Sequence, residues 1–348
     1  MIKRTSRYVP ILRSHSAERH AVKHLNSAAR GAIAPLFELS RSTVRALEKF
    51  GSREAAKKIA TIAAGSCGRG EMYLEFATLL EREDADEICR EVEYRLLALQ
   101  CNAQFVARVS DFERTGGIAS CTEIYTRNGA GFRVTPADYI NGDLAGSIAF
   151  FKRLGLTPSQ VDLIVDCQTV DEGQPMRGTA ERLESGYPWR SITYVGGSFP
   201  PNLAHLQKND QYELPRYEWQ IFSRESHPQG RVVRYGDYTV QHPHQADPLP
   251  RVLPSGSIRY ASNTYWVVMR GEKLDNPNGP GYEQYIAQAQ LLCERSEFRG
   301  ANFSAGDAYI AFIASQQERT GNPSTWLQAA INHHLTLAAE QVQIAVAA

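Results

Sequence analysis

A chain of 348 residues is too long for one small core and suits a large α/β unit with a smaller one beside it. Hydrophobic content of 43% and charged content of 22% exclude wholesale disorder. Basic and acidic side chains balance at 38 each, so no global field draws the chain to nucleic acid or membranes, although a local patch would escape this count.

Short apolar and β-branched runs alternate with longer stretches of helical period. Tyr8–Leu12 (YVPIL) reads as the first strand, with a helix over 16–29 that Gly31 would stop at its C′ position. Ile33–Leu39 is the second strand, and its helix starts at Ser52, a candidate N-cap. Met72–Phe76 is the third strand. Ile88, Val92, Leu96 and Leu99 put one apolar face on the helix expected over 86–99. Phe105–Val109 and Phe132–Thr135 are the fourth and fifth strands, and Leu144, Ile148 and Phe151 mark the helix after the fifth. Val161–Asp166, Ile192–Val195 and Arg231–Tyr235 complete a set of eight, with a helix expected over 213–224 before the last.

Eight strands with helical connections over about 240 residues fit a (β/α)8 TIM-like barrel. An open doubly wound sheet has the same alternation, but no GxGxxG follows the first strand. Four prolines between His242 and Gly256 read as a linker. Beyond it, Ile258–Tyr260 and Tyr265–Met269 read as a hairpin turning at Asn263, followed by helices over 282–293, 305–317 and 324–341. The expected organisation is a β/α barrel over 1–241, a Pro-rich linker over 242–256, and a small α+β, mostly helical C-terminal region over 257–348.

Six cysteines show no CxxC and no zinc spacing. They read as reduced thiols, which with the lack of a signal-like or membrane-spanning apolar run leads to a cytoplasmic expectation.

Several short motifs together resemble the phage-type "beta protein" family. They are Tyr8–Leu12, Pro35–Leu39 (PLFEL), Gly197–Pro200 (GSFP) and Tyr235–Tyr238 (YGDY). The C-terminal set is the most specific: Trp266 to Gly271, Gly281 with Tyr282, Arg299 with Gly300, Phe303–Asp307 (FSAGD), and Gly321 and Asn322 with Trp326 and Asn332–His334. The resemblance implies a phage or mobile-element setting and a role in phage–host conflict. It transfers no catalytic assignment to any residue.

Chemistry is best placed by position. Glu38, Glu75, Arg108 and Asp166 interrupt apolar runs at or near the C-terminal ends of four strands, where barrels carry their functional side chains. A buried charge there must reach the mouth or find a partner. Arg13 and Asp237, after the first and eighth strands, are expected to face the same mouth. Such carboxylates and arginines suit a divalent metal and a phosphate, acid–base hydrolysis, or a salt-bridge network that closes the barrel. The loop Gly196–Pro201 follows the seventh strand, where Gly197 and Ser198 could cradle a phosphate or form only a tight turn.

Bland readings are favoured elsewhere. His333 and His334 point about 100° apart on a helix and cannot share one ion, so packing against Trp326 or the hairpin is expected. His20 and His24 have i,i+4 spacing without HEXXH and suit a solvated face. Ser304 suits an N-cap, with Asp307 paired to Arg270 or Arg299. Tyr265 and Trp266 suit a core more than a base-stacking platform.

The leading expectation is a component of phage or antiphage conflict, recognising a partner or acting as an effector through the barrel mouth and C-terminal region. One alternative is a phosphodiesterase- or nuclease-like barrel hydrolase using Glu38, Glu75 and Asp166. Another is a scaffold that binds a protein through the C-terminal helices. No cofactor motif is evident. A protein partner, encoded nearby, is expected, and nucleic acid or a nucleotide is compatible with the arginines, but not a membrane.

Overall fold

The computed structural model describes residues 8–67, 70–77, 79–109, 122–141, 144–225, 230–244, 254–316 and 318–347. Eight parallel strands close a barrel. In chain order they are β1 (Val9–Arg13), β2 (Leu36–Glu38), β3 (Glu71–Glu75), β4 (Asn102–Arg108), β5 (Ala130–Val134), β6 (Val161–Thr169), β7 (Ser191–Gly197) and, after β8 (Asp210–Pro215) has left the barrel, β9 (Val233–Asp237). Closure is made by β9 against β1, with Val9 opposite Gly236.

Alternation along each strand separates two cores. Val9, Ile11, Leu36, Tyr73, Val106, Ile164 and Val195 fill the interior. Their neighbours Tyr8, Leu12, Phe37, Leu74 and Phe105 join the larger core beneath the helices. Burial on both faces explains the near-continuous apolar runs that mark these strands in the sequence. Gly236 shows how tightly the interior closes. A Cβ there would lie 2.6 Å from Val9 O, so glycine lets β9 approach β1.

The first helical stretch is two helices, α1 (Ser16–Lys23) and α2 (Ser27–Ala32). Asn26 breaks it by capping α2 through Ala29 N, and Gly31 lies inside α2 instead of ending a helix. The outer layer continues with α3 (Arg41–Leu47), α4 (Ser52–Cys67), α5 (Ala85–Ala98), α6 (Thr122–Asn128), α7 (Pro136–Asn141), α8 (Leu144–Arg153), α9 (Glu181–Gly186) and α10 (Tyr217–Arg224).

The helix expected over 213–224 is corrected at its start. Residues 210–215 form β8, and helix begins only at Tyr217. Strand wins because β8 gains a long-range partner, pairing antiparallel with β11 (Tyr265–Arg270), which also pairs with β10 (Ile258–Ala261). The second sheet therefore includes a strand that precedes β9. The hairpin turns as expected, with Ser262 N donating to Tyr265 O over 2.8 Å. Of the expected linker, residues 245–253 lie outside the described residues.

Three helices complete the chain: α11 (Gln284–Glu294), α12 (Ala305–Ser315) and α13 (Pro323–Ala347). α13 packs on α1, α2, α12 and β10. The small sheet is apolar on both faces. Ala261, Trp266 and Val268 join the barrel's outer core, whereas Tyr260, Val267 and Met269 pack with Tyr285, Ile310 and Trp326. Trp266 and Trp326 are thus both buried, as expected, but in different cores. Among the described residues no helix is long and apolar enough to cross a membrane.

Candidate functional site

At the C-terminal ends of the barrel strands, inward-facing positions form a charged rim. Arg13, Glu38 and Glu75 lie at successive register positions, Arg13 opposite Glu38 and Glu38 opposite Glu75. Arg108 lies opposite Arg133, a residue that the sequence reading passed over. The four charges expected to converge do so, and Arg133 is what joins them. Its Nη1 donates to Glu38 Oε1 over 2.5 Å and to Glu75 Oε2 over 2.8 Å. Its Nε and Nη2 take Asp166 Oδ2 at 3.0 and 2.7 Å. Tyr238 closes the group, accepting from Arg133 Nη2 over 2.8 Å and donating to Asp166 Oδ2 over 2.6 Å.

Arg108 sits at the outer edge of this network, bonded to Glu38 over 3.2 Å and paired with Glu75. It does not reach Asp166, whose guanidinium partner is Arg133. Burial pushes the Glu38 carboxyl up, but the charges of Arg133 and Arg108, with Arg13, outweigh that and hold it below the usual carboxylate range. Burial alone would lower Arg133, and the facing Tyr238, Glu75, Asp166 and Glu38 raise it instead. Asp166 lies where the β6–β7 register shifts, and its Oδ1 caps Gln168 N at 2.9 Å, with Gln168 at φ +58°. Irregularities of this kind aim side chains at barrel rims.

Arg13 is turned to a neighbouring task. It donates to Gln241 Oε1, His242 O and Pro243 O at 3.0, 3.1 and 2.9 Å, fastening the segment after β9 across one side of the mouth. Gly197 belongs to the same seam. A Cβ there would stand 2.9 Å from Pro243 Cγ and 3.2 Å from Tyr238 Cδ2. Ser198 is committed to α10: its hydroxyl accepts from Tyr217 N over 3.2 Å and hydrogen-bonds Glu218. Gly197 and Ser198 thus hold packing partners where a phosphate cradle was one expectation.

Asp237 requires a correction. The last barrel strand runs two residues further than expected, so Asp237 lies within β9 and alternation turns it outward. It accepts from Tyr8 and Tyr235 hydroxyls at 2.5 and 2.9 Å and faces His334 Nε2 at 2.8 Å. Its neighbour Tyr238 takes the inward place.

A metal fits this rim poorly. Glu38, Glu75 and Asp166 are each bonded to a guanidinium, so a divalent ion would have to displace Arg133 or sit against it. Among the described residues no three His, Cys, Asp or Glu side chains are arranged to hold one.

The other candidates keep structural partners. His333 meets Asp307 Oδ2 and Ala261 O, both at 2.8 Å, and stacks on Tyr260 at 3.8 Å, so it packs on the hairpin. Ser304 caps α12 as expected. Asp307 is paired to His333 and Tyr260, not to Arg270 or Arg299, which bind Leu203 O and Glu340. His24 bonds the His20 carbonyl on an exposed face. Trp266 is fully buried, so it offers no free ring for base stacking.

A second charged layer lies at the opposite end of the interior. Asp162 accepts from Tyr73 OH, Arg190 Nε and Ser191 Oγ at 2.7, 2.8 and 2.7 Å. Arg234 joins Tyr73 OH at 2.8 Å and Glu71 at 3.2 Å, and Gln104 also holds Glu71.

The family model described as Beta protein matches residues 8–340. No curated protein matches at a significant level. Among solved structures, a GH18 chitinase from Pseudoalteromonas aurantia is 10% identical, with a TM-score of 0.31 over 68% of this chain and 94% of that one. D-psicose 3-epimerase with D-tagatose from Clostridium cellulolyticum H10 is 11% identical, with a TM-score of 0.34 over 67% and 85%. The spore cortex-lytic enzyme SleL of Bacillus megaterium QM B1551 is 11% identical, with a TM-score of 0.31 over 84% and 68%. Scores this low carry no inference about activity.

Proposed function

The chain belongs to the Beta protein family, and from that premise we propose that it serves in phage–host conflict as a recognition component whose barrel mouth engages a charged group on a partner. One observation carries this reading: Arg133 bonds all three rim carboxylates. A hydrolase built on Glu38, Glu75 and Asp166 needs one of them free to take a proton or hold a metal, and all three are bonded to a guanidinium. The outer pair, Arg108 and Glu38, keeps 30% and 18% of its side-chain surface accessible. A partner can meet that pair by exchanging one ion pair for another, a route to specificity that requires no chemistry.

A plaque assay on cells producing the protein tests this, together with an assay of model phosphodiesters, single-stranded DNA and nucleotides with magnesium or manganese. The expected result is altered plaquing that Arg108→Gln abolishes, with no turnover of any substrate. Turnover that Glu75→Gln removes would overturn the reading in favour of a hydrolase. Plaquing equal to that of cells lacking the protein would overturn it as well.

A further inference from the structure

Five buried polar atoms with no hydrogen-bond partner gather in one place, where the barrel meets the second sheet and α13. They are Arg216 Nε and Nη2, Glu218 Oε1, Trp266 Nε1 and His334 Nδ1. All four residues are fully buried. Each also has a second polar edge or a ring contact that fixes it. Arg216 Nη1 donates to Ser262 O over 2.7 Å and Gln341 Oε1 over 3.2 Å. The other oxygen of Glu218 takes the Ser198 hydroxyl. His334 Nε2 faces Asp237 at 2.8 Å, and the Trp266 ring packs on Phe199 at 5.7 Å.

The residues that carry these atoms are neighbours. The Arg216 guanidinium lies 5.0 Å from the Trp266 ring centre, and the rings of Trp266 and His334 are 5.0 Å apart. Arg216 Nε stands 3.9 Å from Glu218 Oε1, too far for a hydrogen bond. Buried polar groups in folded proteins are almost always satisfied, so a cluster of exceptions identifies a place where something else supplies the partners.

The chemistry of that guest follows from the atoms. Arg216 and Trp266 present N–H donors only, so the guest must accept. Glu218 Oε1 accepts, and His334 Nδ1 is bare when its proton lies on Nε2 toward Asp237, so the guest must also donate. A small anion could not donate, and it would add negative charge beside buried Asp237. We propose that this seam binds ordered water, which bridges Arg216 and Trp266 to Glu218 and His334. The water joins four parts of the fold: the lead-in to α10, α10 itself, β11 and α13.

A crystal structure of the full chain, at a resolution that shows ordered solvent, tests the proposal directly. Solvent peaks within hydrogen-bond distance of at least three of the five atoms are expected. In solution, the Trp266 indole N–H, assigned by its loss in Trp266→Phe, should show a cross-peak to long-lived water. Arg216 Nε bonded directly to Glu218 with no solvent peak would overturn the proposal. So would density for an anion, or an indole N–H with no water contact.

Discussion

The two ends of the barrel interior carry the same chemistry and differ in what surrounds it. At each end, carboxylates, arginines and a tyrosine form a hydrogen-bonded group: Glu38, Glu75, Asp166, Arg133 and Tyr238 at the rim, Glu71, Asp162, Arg190, Arg234 and Tyr73 at the floor. An apolar layer with Ile11, Val106 and Ile164 separates them. Asp162 and Arg234 at the floor are fully buried and Arg190 keeps 15% of its side-chain surface, whereas Arg108 at the rim keeps 30%. Charge in a strand is therefore not itself the sign of a site. Under the function proposed above, access at the C-terminal end is what separates the rim from a structural tie.

The largest expected effect is at the floor. Asp162→Ala would leave Arg190, with Ser191 and Tyr73, facing a buried space without their shared carboxylate. Breaking such a network costs about 3–5 kcal/mol. Urea unfolding measures it. A smaller loss there than at the rim would reverse the contrast drawn above.

A buried carboxylate lacking an arginine bond provides the control. Glu218 faces Arg216 at a distance, the Ser198 hydroxyl, Asp237 and Tyr235, and burial dominates to raise it from the usual 4.5 to about 7. Between those values the unfolded chain has released this proton and the folded chain has not. Stability therefore falls as pH rises across that window and is level above it, by up to about 3 kcal/mol. Rim Glu38 and floor Asp162 behave oppositely: both are held below the usual range by arginines, and their contribution is lost as pH falls through the depressed values. Glu218→Gln should lessen the decline toward neutrality without touching the acid limb. Glu18, likewise raised to about 7 by burial, keeps its own share of the decline, so a decline undiminished in the variant would assign it to groups such as Glu18.

Next in size is Asp166→Ala. Its guanidinium partner is Arg133, which keeps Glu38 and Glu75 after the substitution. The loss should therefore be about 2 kcal/mol, smaller than at Asp162, and a urea midpoint that moves as far as for Asp162→Ala would show the rim to be just as closed as the floor.

Much of this was legible from period and position. Glu38, Glu75, Arg108 and Asp166 stand out because each interrupts an apolar run at a strand end, and parallel strands buried on both faces leave no other cause for such runs. Arg133 was missed because its strand reads more weakly than its neighbours, yet it repeats the Glu38, Glu75 and Arg108 pattern one strand on. The face of Asp237 depended on parity: a strand ending at 235 leaves 237 in a loop, and one continuing to 237 turns it outward. The end of β8 was read as helix because its partner, β11, lies some fifty residues onward, a pairing that local pattern does not encode. The water-bridged seam was beyond reach, since it joins residues from four separate stretches of chain.

Arg108→Gln gives the smallest stability effect and the sharpest functional one. Arg108 bonds Glu38 and Glu75, but Glu38 is partly exposed and both carboxylates keep Arg133 as a partner. Solvent can therefore take over much of what the guanidinium supplied, and the loss should be within about 1 kcal/mol. Glutamine retains hydrogen-bonding capacity and removes the charge, so the barrel stays closed while the rim loses its accessible cation. If the mouth works by ion-pair exchange, the effect on plaquing should vanish with an almost unchanged urea midpoint, and Arg108→Lys should restore part of it. A variant that melts like the parent and also acts like it would locate recognition away from the rim, on the C-terminal region.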